Sequence, residues 1–191
     1  LEPILMKFTA EFPNIEVITD TYPVTQGYCA MYDGACDLAL MHDSSIKVKR
    51  VQKKKFVRER LVCMMRADNP LAMRDAIEIE ELNGEIFVNY GTEHSEDLEH
   101  KILLDGAYVI DCLLAIHGVK PKKQLYVRHP DMVGLKISQS GGVSIAVNGQ
   151  RRIDRKYLKM VPFMNEDCFT DLCFYYREDN TMTLPLRAFG V

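Results

Sequence analysis

No stretch of the sequence approaches the roughly 18 consecutive apolar residues that a membrane-spanning helix needs, so no segment reads as a bilayer span. Positive charge is not in excess either. With 24 Lys+Arg against 27 Asp+Glu the formal net charge is −3, and the chain as a whole has no electrostatic footprint for nucleic acid. No Cys-x-x-Cys pair occurs, which speaks against a structural zinc site. A Gly-x-Ser-x-Gly elbow, a P-loop and a dinucleotide fingerprint are all missing, so the residues point to no enzyme, no cofactor and no metal. Repeats and low-complexity segments are absent as well.

What is present is the balance of a soluble globular protein. The 191 residues are 47% hydrophobic and 27% charged, enough for one ordinary domain or two small lobes. The six cysteines are an even number, but a chain of this size does not need disulfide staples. Cys63 and Cys173 sit inside apolar runs, so buried free thiols in a reducing cytosol are the expectation. Apolar residues at helical spacing begin at position 1 (Leu1, Ile4, Leu5, Phe8, Phe12), with neither a Met nor a capping residue before them. That start reads as a cut from a longer protein.

The hydrophobic pattern alternates between helix and strand. Helix 1–12 stops at Pro13, and a strand is expected at 15–19. Pro23 opens a second helix to about Tyr32. A short apolar strand at 37–41 follows, of the kind buried on both faces of a parallel sheet. Val51–Phe56 and Arg60–Arg66 read as two further strands, and Asn69-Pro70 breaks the chain. A second cycle has strands at 86–90, 124–128 and 143–147, with helices after the first two and Gly141-Gly142 before the third. Strands near 158–163 and 171–177 and a helical stretch holding Leu184, Leu186 and Phe189 close the chain. This is the α/β rhythm.

The order of these pieces resembles the effector-binding domain of LysR-type transcriptional regulators. The residues that carry the resemblance are Leu1, Ile4, Leu5, Phe8, Phe12, Pro13, Ile15 and Val17; Asp37-Leu38-Ala39-Leu40; Asn69-Pro70-Leu71-Ala72 with Ile79 and Leu82; Gly141-Gly142; and Leu186 with Phe189. The resemblance implies two Rossmann-like α/β lobes joined by two crossover segments, like a type-2 periplasmic binding protein. Lobe I would take 1–66 and 163–191, lobe II 67–162, with hinges near Arg66 and Phe163. It further implies a small effector in the cleft between the lobes, and a homodimer formed through helix 1–12 and the strand after it. In the full-length protein it implies a higher oligomer, with DNA contacted only by an N-terminal winged helix-turn-helix outside this sequence. The location would be cytoplasmic. A solute-binding protein of a transporter, in an oxidising compartment, is the competing reading of the same fold.

Candidate ligand contacts follow from geometry. In open α/β sheets, ligands bind beyond the carboxyl ends of strands, near helix N-termini. Those positions hold Thr92, His94 and Ser95 after the strand ending at Tyr90, His129 before Pro130, and Ser44 after His42. Thr92, Ser95 and His129 would belong to one lobe, while Ser44 and the 165–170 loop with Thr170 would belong to the other. Thr92 and Ser95 could equally be helix caps, and His129 a surface residue. Hydroxyls and imidazoles suit a small carboxylate or polar anion. His94 and His100 are six apart, an awkward separation for one helix face, so a metal pair is not indicated. Ser138-x-Ser140-Gly141-Gly142 fits an anion-binding turn or a plain helix-to-strand link. Residues 47–60 carry eight basic residues and one acid, read as a solvated edge that resists unwanted pairing rather than a nucleic-acid patch.

Overall fold

The structure is a computed structural model that describes residues 2–21, 24–43, 49–90, 106–147 and 156–180. The helices are α1 (Glu2–Glu11), α2 (Val24–Tyr32), α3 (Gly106–Ile116) and α4 (Met132–Ser140). The strands are β1 (Ala39–His42), β2 (Val51–Arg66), β3 (Ile86–Tyr90), β4 (Lys123–Val127), β5 (Ser144–Val147), β6 (Leu158–Pro162) and β7 (Phe169–Arg177). Contacts divide the chain into two compact units, Leu1–Val57 with Leu172–Val191, and Arg58–Asp171. The expected helical stretch at 184–189 lies outside the described residues.

The division falls inside β2 and β7. Side-chain burial gives the reason. Leu61 to Met65 are all buried, and Leu61, Cys63, Met65, Phe163 and Cys168 belong to the core of the second unit. Thr170 falls in the second unit.

In the first unit, α1 buries only Phe8, whose ring lies 5.0 Å from that of Phe12. Residues 15–19 are not a strand: Ile15 and Val17 are half-buried and Glu16 and Ile18 exposed, so the alternation exists. Among the described residues, however, no neighbouring backbone forms a ladder with it. Strand β1 starts at Ala39 rather than at 37, is half-buried, and runs antiparallel to β7 from Ala39↔Tyr175 to His42↔Leu172. The parallel, doubly buried setting expected of it is thus corrected. An apolar run of this length fits either setting, because only the partner strand decides direction. Met31, Cys173 and Tyr175 form the buried cluster here, with Ala39, Met41 and Val51 against it.

The second unit is built on the parallel pair β3–β4, registered from Ile86↔Lys123 to Tyr90↔Val127. Phe87 also bridges in parallel to Val143 on the other side of β3. Alternating side chains serve two faces. Phe87 packs with Leu113 and Leu114 of α3, while Val88, Leu125 and Val127 pack with Val133 and Ile137 of α4. After Val143 the chain leaves β3, and β5 pairs antiparallel with β2 (Leu61↔Val147 to Met64↔Ser144). Strand β6 also pairs antiparallel with β2, from Val62↔Pro162 to Arg66↔Leu158. These strands and helices lie within a residue or two of the expected bounds.

Residues 51–66 form one strand where the sequence pattern splits them into two. The gap between the two falls at residues 57–59, where charged Arg58 and Glu59 stand, yet a ladder of backbone groups is indifferent to side-chain polarity on an exposed face. The charges there are offset locally. Lys53 Nζ is 2.6 Å from Asp43 Oδ1, and Arg58 Nε is 3.9 Å from Asp171 Oδ1. Arg58 and Arg60 also lie over the Phe169 ring, at 4.8 and 5.0 Å from its centroid. All six cysteines are free, with Cys63, Cys168 and Cys173 buried.

Candidate functional site

Parallel strands present their carboxyl ends on one side, and a helix that follows such a strand begins there. In the second unit that edge is formed by Asn89-Tyr90 at the end of β3 and by Val127 at the end of β4, followed by His129, Pro130 and α4.

Asn89 is fully buried. Its Nδ2 points to Gln124 Oε1 at 3.5 Å, the long limit of a hydrogen bond, and its Oδ1 has no partner among the described residues. Gln124 Nε2 in turn donates to Asp111 Oδ1 of α3 at 3.0 Å, and the Tyr126 hydroxyl donates to Gln124 Oε1. Register explains the grouping: Phe87 pairs with Gln124 and Asn89 with Tyr126, so these side chains share the α3 face of the two strands. A buried acceptor left unpaired costs about 1–3 kcal/mol. At the carboxyl end of parallel strands, where ligands bind in open α/β sheets, a hydrogen-bond donor brought by a ligand would recover that cost.

The sequence-predicted residues are placed as follows. Ser44, Thr92, His94 and Ser95 lie outside the described residues, as does His100. The His129 side chain is 66% exposed and leans on the start of α4: Asp131 N–H donates to its Nδ1 at 3.4 Å, and Asp131 Oδ2 is 3.6 Å away. Thr170 is half-buried on β7. Among the described residues no hydrogen bond joins His129 to Thr170.

Between Ser140 and Val143 the helix-to-strand reading holds. Gly141 ends α4 in the left-handed region at φ 69°, and its N–H donates to Ile137 O. Gly142 N–H donates to Ser140 Oγ at 3.2 Å, and Val143 N–H to Ile86 O at 2.7 Å. With these three amides used, no nest of free N–H groups is left for an anion. Gly142 has its own reason to be glycine, because a Cβ there would stand 2.5 Å from Ile86 O.

A surface cavity of about 700 Å³ opens beside α4, bounded by Arg66, Asp68, Leu135, Ser138, Lys156 and Tyr157. Neither His129 nor Thr170 lines it. Arg66 and Asp68 already hold each other through two hydrogen bonds, so the charges along its rim are matched.

Sequence reasoning missed Asn89. The available signal was its residue type: asparagine is depleted in strands, and here it ends an otherwise apolar one.

The family described as LysR substrate binding domain matches residues 1–190 of the chain. No curated protein matches it. Among solved structures, the chain is similar to the BenM effector binding domain with its effector benzoate, at 18% identity and a TM-score of 0.81, covering 99% of this chain and 82% of that one. It is similar to the regulatory domain of CcmR from Synechocystis PCC6803 in complex with 2-PG, at 18% identity and a TM-score of 0.76, covering 98% and 86%. The effector binding domain of QuiR in complex with shikimate is similar at 15% identity and a TM-score of 0.79, covering 99% and 86%. At these identities the likeness is one of fold, a type-2 periplasmic-binding-protein-like α/β arrangement.

Proposed function

Because the chain belongs to the LysR substrate binding domain family, we propose that it is the effector sensor of a LysR-type transcriptional regulator, with DNA contacted by a winged helix-turn-helix outside this sequence. The observation that carries a ligand role is the buried Oδ1 of Asn89, without a partner among the described residues, at the carboxyl end of a parallel strand pair. An amide oxygen accepts only, so the effector must offer a donor. A small carboxylate that also carries a hydroxyl has that chemistry, and benzoate and shikimate, bound by the similar BenM and QuiR domains, bracket the class.

The test is isothermal titration with shikimate, benzoate and related carboxylates. One hydroxylated member is expected to bind, and Asn89→Ala to weaken it about tenfold, the equivalent of one hydrogen bond. Stability should not fall by as much, since the substitution also removes an unpaired acceptor. Unchanged affinity in Asn89→Ala takes the residue out of the site. Ser44, Thr92, His94, Ser95, His129 and Thr170 are proposed contacts of the same ligand. Thr92→Ala and Ser44→Ala should each cost on the order of 1 kcal/mol in binding with the fold intact.

A homodimer through α1 is part of the proposal. Beside buried Phe8 this helix leaves Ile4 and Leu5 half-buried and Met6 75% exposed, and Ile18 further on is 82% exposed. Apolar groups so placed suit an interface. Sedimentation at micromolar concentration is expected to show a species heavier than 21.9 kDa, and a purely monomeric profile removes the dimer. Six free cysteines favour a reducing cytoplasm over a transporter's oxidising compartment. Thiol titration of the denatured, unreduced protein should count all six. Among the described residues no helix is long and apolar enough to cross a membrane.

A further inference from the structure

Away from the carboxyl ends of β3 and β4, three segments of the second unit converge on one imidazole. His117 follows the last residue of α3, and its side chain is 12% exposed. Its Nδ1 lies 2.7 Å from Glu80 Oε1, in the 3₁₀ turn Ile79–Leu82, and its Nε2 lies 2.8 Å from Asp167 Oδ2. The turn before β7 is fixed to the same place. Asn165 Nδ2 donates to Glu80 Oε2 at 3.1 Å, and Asn165 Oδ1 accepts from Ile79 N–H at 2.9 Å. The next residue after Asp167 is Cys168, fully buried, whose carbonyl accepts from Leu61 N–H at 3.0 Å. A ring nitrogen of His117, a carboxylate oxygen of Asp167 and the thiol of Cys168 all lie within 4.8 Å of one another.

We propose that His117, Asp167 and Cys168 form a binding site for a divalent cation of the zinc class, with Glu80 positioning the imidazole. The donor set selects the ion. Imidazole nitrogen, carboxylate oxygen and thiolate sulfur together suit zinc and its neighbours, whereas magnesium and calcium take oxygen alone. Zinc holds such atoms about 2.0–2.3 Å away, so the three need only small side-chain rotations to close on it. The carboxylate of Glu80 on Nδ1 is the usual outer partner of a metal-bound histidine, and it leaves Nε2 as the ligand. Asn165 then holds Glu80.

Two carboxylates face the imidazole, Glu80 at 2.7 Å and Asp167 at 2.8 Å. Burial opposes a charge on His117, yet hydrogen bonds to Glu80 and Asp167 outweigh it and hold the imidazole above its ordinary pKa. Burial, with the charges of Asp167 and Glu80, pushes the Cys168 thiol up to about 12. Zinc takes cysteine as the thiolate, so binding displaces the Cys168 proton. Three protein ligands leave the fourth tetrahedral position to water or another small donor. The ion would tie α3, the 3₁₀ turn and the approach to β7 into one clamp.

The experiment is titration of the chelator-treated full chain with Zn²⁺ by calorimetry, and with Co²⁺ by absorption. The expected result is one ion per chain, a thiolate-to-cobalt charge-transfer band, and a raised melting temperature with Zn²⁺. Cys168→Ser should abolish the band, and His117→Ala should remove binding. Glu80→Gln should weaken binding 10–100-fold while keeping the band, as a positioning residue does. Cys29→Ser, at an exposed cysteine, should change nothing. No binding to the folded wild-type chain, or binding and a band that survive Cys168→Ser and His117→Ala, overturns the site. Neither outcome touches the effector reading, which depends on Asn89.

Discussion

Phe87→Ala is expected to destabilise the second unit by about 3–5 kcal/mol, the range for truncating a fully enclosed aromatic. Phe87 has no exposed surface and sits among Ile77, Ile79, Leu82, Leu113 and Leu114. Its strand is flanked by β4 on one side and by the bridge to Val143 on the other, so the cavity has little room to collapse. Urea unfolding followed by circular dichroism measures the loss. A cost below about 1 kcal/mol would mean that the site collapses freely and that the packing around β3 is not as described.

Gly142→Ala is expected to cost about 1–3 kcal/mol, through overcrowding rather than lost burial. The new Cβ would meet Ile86 O at 2.5 Å, a backbone atom held by the hydrogen bond from Val143 N–H. Neither side can yield without lengthening the 2.7 Å bonds that join Val143 to Ile86 and Val88. Because β3 carries Asn89, the same shift should weaken effector binding. Gly141→Ala is the control: it strains a left-handed residue, but its Cβ meets nothing within 4 Å. Its cost should stay near 1–2 kcal/mol and its effect on binding near zero. If Gly141→Ala harms binding more than Gly142→Ala, the close approach at Ile86 is not what positions the strand end.

How much of this was legible varies with the range of the interaction. Asn69-Pro70 marks a turn because Asn69 Oδ1 accepts from Leu71 N–H at 2.9 Å, a contact between residues two apart. The end of α4 was legible for the same reason, since Gly141 alone tolerates the left-handed turn without strain. The direction of β1 was not. Its partner in β7 is more than a hundred residues away, and nothing in Ala39-Leu40-Met41 encodes it. The carboxyl end of β3 is legible from its apolar run, but the hydroxyls and imidazoles of the following loop draw the eye, and Asn89 reads as one polar residue in a strand. Glu80, His117, Asp167 and Cys168 have no spacing that announces a site.

By itself, then, the sequence determined the class of fold, the bounds of β3, β4, β5 and α4, and the family. Each depends on periodicity, turn chemistry or the order of short motifs, which are local properties of the chain. The tertiary structure alone decided where the two units divide, which way β1 runs, and that residues 15–19 form no strand. It also decided that Asn89 Oδ1 lacks a partner among the described residues and that one histidine stands between two carboxylates beside a thiol. Those outcomes depend on which distant backbones and side chains meet, and burial and pairing are properties of the meeting, not of the residues.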